Sequence, residues 1–133
     1  MSGVAISVKK LGKVFAKRVQ SRGLLGGGEA QEVQRIVVLE ELDLDLAPGD
    51  RVAIVGPSGS GKSTFLHLLG LLDRPSSGRI DLDGEDVAVM SQSRRNGIRN
   101  RSVGFVFQAH NLLPEHSALA NVAIPVRLAG GSV

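Results

Sequence analysis

Residues 56–63 read Gly-Pro-Ser-Gly-Ser-Gly-Lys-Ser, a glycine followed after four residues by Gly-Lys-Ser. That order suits one task, the cradling of a polyphosphate. Gly56, Gly59 and Gly61 let the backbone curl so that successive N–H groups point inward. A helix starting just after them adds its unpaired N–H groups and positive dipole end. Lys62 then reaches the β- and γ-phosphates, and the Ser63 hydroxyl takes one position on Mg²⁺. Pro57, Ser58, Ser60 and Thr64 complete the candidate cradle. The motif predicts binding of a purine nucleoside triphosphate.

Other chemistry-bearing residues are weaker candidates. Asp81-Leu-Asp-Gly84 has the form that GTPases use for magnesium and γ-phosphate, but it follows the glycine loop too soon. No Asn-Lys-x-Asp guanine reader accompanies it, so it reads as a half-buried strand ending in an Asp-Gly turn. His67, His110 and His116 lack the spacing of a metal site. Leu66 and Leu69 read as a core stripe on the helix after the loop.

The elements that must hold the loop follow from pattern. Residues 51–55 and 103–107 are nearly continuous apolar runs, expected for strands buried on both faces. Residues 4–8, 39–46 and 79–83 predict further strands, the latter two by alternation. A helix is expected over 62–72 and a short helix or loop over 94–101, with loop and the opening of a helix beyond. Residues 20–34, with Gly23 and Gly26 to Gly28, read as a loop or disordered insertion.

Composition bounds the rest. The chain has 133 residues, 42% hydrophobic and 22% charged, an ordinary globular balance. The absence of cysteine excludes a disulfide scaffold, a cysteine zinc site and a thiol nucleophile. Without Trp or Tyr, an RNA module built on aromatic stacking is disfavoured. No apolar run is long enough to span a membrane, and no signal-peptide pattern opens the chain. The net charge of +3 is uneven: six basic residues and no acid precede Glu29, whereas residues 29–50 hold seven acids and only Arg35. The plainest reading of the basic start is a solvated strand edge and a flexible loop.

Taken in order, these residues resemble the nucleotide-binding subunit of an ABC transporter. Lys13-Val-Phe15 is similar to the family's adenine-stacking segment, and residues 38–50 to its second strand and turn. Residues 103–108 resemble the strand ending in the Q-loop glutamine, here Gln108. Residues 65–75, 111–115 and 120–125 resemble the lipoprotein-release and macrolide-export branch. The resemblance implies an α/β fold, a partial P-loop core of parallel sheet and helices beside an antiparallel β subdomain. It implies ATP and Mg²⁺ as ligands, with Phe15 on the adenine and Gln108 near the Mg²⁺ and the attacking water. It also implies two partners, a membrane permease met by residues 109–114 and a second nucleotide-binding subunit across ATP, at the cytoplasmic face of a membrane. No nucleic-acid partner is expected.

The departures are specific. Residues 16–35 look like an insertion where the family has a short turn. The chain reads as the N-terminal portion of the domain, lacking the Leu-Ser-Gly-Gly-Gln signature, the hydrophobic run ending in Asp-Glu and the switch histidine. The family is an ATPase, yet this chain alone is expected neither to hydrolyse ATP nor to stay monodisperse, since phosphoryl transfer depends on such positioned groups. Two other readings stay open, another P-loop enzyme of GTPase or kinase type and a non-hydrolysing basic fragment that binds lipid or nucleic acid. Nucleotide competition separates the first, and salt-sensitive retention on vesicles or DNA the second.

Overall fold

The computed structural model describes residues 3–21 and 30–131. They fall into two units, Met1–Val89 and Met90–Val133. In the first, strands β1 (Ile6–Ser21), β2 (Ala30–Leu46), β3 (Ser77–Leu82) and β4 (Glu85–Asp86) form one antiparallel sheet in the order β2-β1-β3-β4. Helix α1 (Lys62–Leu69) lies between β2 and β3 in sequence. The second unit holds α2 (Gln92–Ser102) and α3 (Ala118–Leu128).

The charge asymmetry of the sequence becomes strand pairing. Basic β1 runs antiparallel to acidic β2, so Lys9 meets Asp45 at 3.3 Å and Lys10 meets Asp43 at 3.3 Å. These pairs are exposed and fix register more than they add stability. The Lys10 N–H and ammonium hold the Asp43 carboxyl below its usual range, and the Ser7 hydroxyl and Lys9 do the same for Asp45. Lys10 sits at φ 47° where the β1–β2 register shifts. The irregularity returns Leu11 to the core three residues after Val8 rather than two. From Ile6 to Gly12 β1 is thus a central strand between β2 and β3, not the solvated edge its composition suggested.

The core of this unit gathers Val8, Leu11, Leu39, Phe65, Leu68, Leu71, Ile80, Leu82 and Val87. α1 therefore buries Phe65 and Leu68, while Leu66 and Leu72 are exposed. The apolar stripe is narrower than its leucines suggest, and the helix stops at Leu69 because Gly70 caps it. Asp83 and Gly84, both at positive φ, make the tight turn that joins β3 to β4.

Two expectations are corrected. The segment 16–35 is not a loop insertion in its described part. β1 continues to Ser21 and β2 starts at Ala30, paired from Phe15↔Ile36 to Ser21↔Ala30, while the glycine cluster at 23–28 lies outside the described residues. Neither 51–55 nor 103–107 forms a strand, and among the described residues no parallel pair exists. A strand needs a ladder partner for its N–H and C=O groups. Among the described residues these runs have none, and Val55 stands 87% exposed. The α/β class holds, with its sheet antiparallel.

Candidate functional site

The glycine loop is positioned from below by β2. Gly61, at φ 89°, is the N-cap of α1. A Cβ there would lie 2.9 Å from the Val38 carbonyl oxygen and 3.0 Å from Leu39 Cδ2, so only glycine allows the loop to seat on that strand. Phe65 and Leu68 anchor the same helix in the core. The start of α1 is held by a hairpin strand and by burial.

What the cradle offers is chemically plain. The first amides of α1 lack intrahelical acceptors by construction. Gly61 supplies no side-chain cap, and no acid occupies the first turn. The positive end of the helix is therefore left uncompensated, with Lys62, Ser63 and Thr64 lining it. The Lys62 ammonium donates to the carbonyls of Gly56 at 2.9 Å and Pro57 at 2.7 Å, and lies 3.5 Å from Ser60 Oγ. Ser60 N–H in turn donates to Pro57 O at 3.3 Å. Ser58 and Gly59 are exposed at the loop's crest. The cation is thus folded over the loop that precedes it, beside donors suited to anionic oxygen.

Phe15 lies on β1 opposite Ile36, two residues from the Val38 that abuts Gly61. The residue is 42% exposed, so it is no core residue. The Lys13 ammonium stands 4.8 Å from the ring centroid. Lys13 itself is buried and reaches Asp73 Oδ2 at 2.8 Å and the Arg74 carbonyl at 2.8 Å. Burial would raise the Asp73 carboxyl, but hydrogen bonds from Lys13 and from the Arg74 N–H outweigh it and hold the group below the usual carboxylate range. The sequence singled out Phe15 and passed over Lys13 and Asp73.

Gln108 belongs to the second unit and is exposed, just after the stacked pair Phe105 and Phe107, whose centroids are 5.4 Å apart. The segment behind it is fastened by a side chain that the sequence reading missed. Asn121 Oδ1 accepts from the Leu113 N–H at 2.8 Å, and its amide donates to the carbonyls of Leu113, His116 and Ser117, each at 3.1 Å. Leu112 and Leu113 are held exposed by that clamp. Asparagine near a helix start is suited to such backbone bonding, which is the signal that could have revealed it. Asn121→Ala removes all four contacts, so limited proteolysis within 110–117 is expected to run about tenfold faster, as for two net hydrogen bonds lost. Unchanged cleavage would show that the Leu113–His116 turn holds itself. Among the described residues no group of three or more His, Asp or Glu side chains is placed to hold a metal ion.

Comparison with known proteins gives a consistent picture. The family described as "ABC transporter" matches residues 39–130. The chain is 50% identical over 125 residues to the lipoprotein-releasing system ATP-binding protein LolD of Bordetella pertussis, covering 94% of this chain and 48% of that protein. With the LolD of Coxiella burnetii it shares 53% identity over 97 residues, covering 73% of this chain and 42% of the relative. The dimeric structure of MJ0796, a bacterial ABC transporter cassette, superposes with a TM-score of 0.76 at 32% identity, over 96% of this chain and 49% of that one. The same cassette in a post-hydrolysis state with ADP and Pi gives the same TM-score. The chain spans about half the length of the curated relatives it matches.

Proposed function

The chain belongs to the ABC transporter family, and from that premise we propose that it carries the nucleotide-cradling part of an ATP-binding subunit for lipoprotein release. The observation that carries the nucleotide-binding part of this reading is Lys62, a cation folded over a glycine loop at an uncapped, acid-free helix start, and the likeness to LolD proteins supports lipoprotein release. Polyphosphate replaces the Gly56 and Pro57 carbonyls on the ammonium and accepts from the first amides of α1. Phe15 offers a π-face to the adenine.

Mg²⁺, when bound, neutralises charge on the phosphates; an oxygen donor of the kind it takes stands at Ser63, and Gln108 is the second residue proposed for it. Leu112 and Leu113 present the apolar tip that meets the permease, with Asn121 holding them out. A second cassette faces the first across ATP, a reading supported by the dimeric assembly of the related cassette. The subunit sits peripherally at the cytoplasmic face of the membrane. Among the described residues no helix is long and apolar enough to cross one.

Displacement of fluorescently labelled ATP tests the cradle. Unlabelled ATP and inorganic tripolyphosphate are both expected to displace it, and adenosine to do so at least tenfold less well, because the charge-assisted contacts lie on the phosphates. Displacement by adenosine but not by tripolyphosphate would place the ligand elsewhere.

A further inference from the structure

We propose that Lys13 is a positioning residue for the nucleotide base, fixing the Phe15 ring from one face and tying it to the far end of the P-loop helix. The proposal rests on the reading of residues 56–64 and Phe15 as the nucleotide site and deepens it.

A lysine is rarely buried without a partner, and Lys13 is 8% exposed. Its ammonium carries three N–H donors. Asp73 and the Arg74 carbonyl accept at 2.8 Å each, and the Phe15 centroid lies 4.8 Å away, within cation–π range. Both acceptors belong to the turn that follows α1, and that turn is bound to β1 a second time. Val14 N–H donates to Ser76 Oγ at 3.0 Å, and Ser76 N–H donates to the Gly12 carbonyl at 2.9 Å. The strand that carries the ring and the helix that starts at the phosphate cradle are thereby joined through one buried cation and two bonds to Ser76.

A structural role alone accounts poorly for this arrangement. Burying the ammonium of an ion pair is costly, and apolar residues of similar size commonly serve as well or better where packing is all that is needed. The ammonium adds what an apolar residue would not. It blocks one face of the ring, leaving the opposite face for the purine. It also draws π-density toward itself, which lowers the negative charge that a stacking base would meet. Base platform and phosphate cradle then keep a fixed separation, which sets where a nucleotide can bridge them.

The test compares ATP with inorganic tripolyphosphate, by titration in the full chain, for four variants. Phe15→Ala is expected to weaken ATP about fivefold and leave tripolyphosphate within twofold. Lys13→Met combined with Asp73→Asn removes the cation without leaving its half-buried carboxylate partner charged beside an apolar side chain, and it is expected to weaken ATP about threefold with tripolyphosphate again within twofold. Added to Phe15→Ala, that pair of changes is expected to cost nothing further. Lys13→Arg keeps the cation and is expected to retain base selectivity. Equal loss of both ligands in the Lys13/Asp73 variant, or a full additional loss on the Phe15→Ala background, would overturn the proposal. If Phe15→Ala itself shows no ATP-selective loss, base stacking on Phe15 fails, and the role of Lys13 falls with it.

Discussion

Lys62→Ala is expected to weaken ATP by about 10- to 150-fold, the worth of one charge-assisted hydrogen bond to a charged group. The ammonium is the side-chain cation at the first position of α1, folded over the loop against Gly56 and Pro57. Those carbonyls belong to exposed residues, so water satisfies them once the ammonium is gone. The loop's own stability should therefore change little, and the loss should appear almost wholly in the ligand. Because the chain lacks Trp and Tyr, labelled ATP provides the signal. Equal affinity in the parent chain and the variant would refute the assignment of residues 56–64.

Gly61→Ala acts on the scaffold instead. A side chain at φ 89° is strained by about 1–2 kcal/mol. The added Cβ also lies 2.9 Å from Val38 O, 3.0 Å from Leu39 Cδ2 and 3.1 Å from Val38 Cγ1. Forcing atoms into such packing costs roughly another 1–3 kcal/mol. Gly59→Ala is the internal control: φ is 79°, but nothing lies within 4 Å of the new Cβ. Urea unfolding should show Gly61→Ala losing about 2–5 kcal/mol and Gly59→Ala about 1–2 kcal/mol. Equal losses would mean that the loop does not seat on β2.

Local chemistry was legible in the sequence where it is written in residue types at fixed spacing. The glycine loop, the helix behind it and the Asp83-Gly84 turn are such cases. Periodicity, by contrast, reports burial. The outer hairpin was invisible because neither face is covered: Phe15, Val19, Val33, Ile36 and Val37 are exposed between charges, so no alternation marks it as strand. The opposite error befell residues 51–55 and 103–107. Their apolar runs describe what a covered parallel strand requires, whereas here Val52, Val55 and Val106 face solvent. Within the site, Lys62 could be found from a motif of eight residues. Lys13 meets Asp73 across sixty positions, and no pattern at that range singles out the pair. Asn121 works over eight positions, near enough for local bonding, yet its capacity is shared by every asparagine.

β1 has two neighbours along only part of its length. It pairs with β3 from Ile6 to Gly12, and beyond Gly12 its ladder is with β2 alone. A two-stranded ribbon is marginal by itself, whereas a central strand opens only with the core around it. One continuous strand thus spans two cooperative units, and its amide-exchange protection should step down near residue 13. Phe15 lies just past that step. Past the β3 ladder the ring is tied to the core through the Lys13 ammonium and the bond from the Val14 N–H to Ser76 Oγ, so a base proposed to stack on it would depend on those ties. Base affinity is then adjustable from a distance, by any change that stiffens or loosens the hairpin without touching the nucleotide.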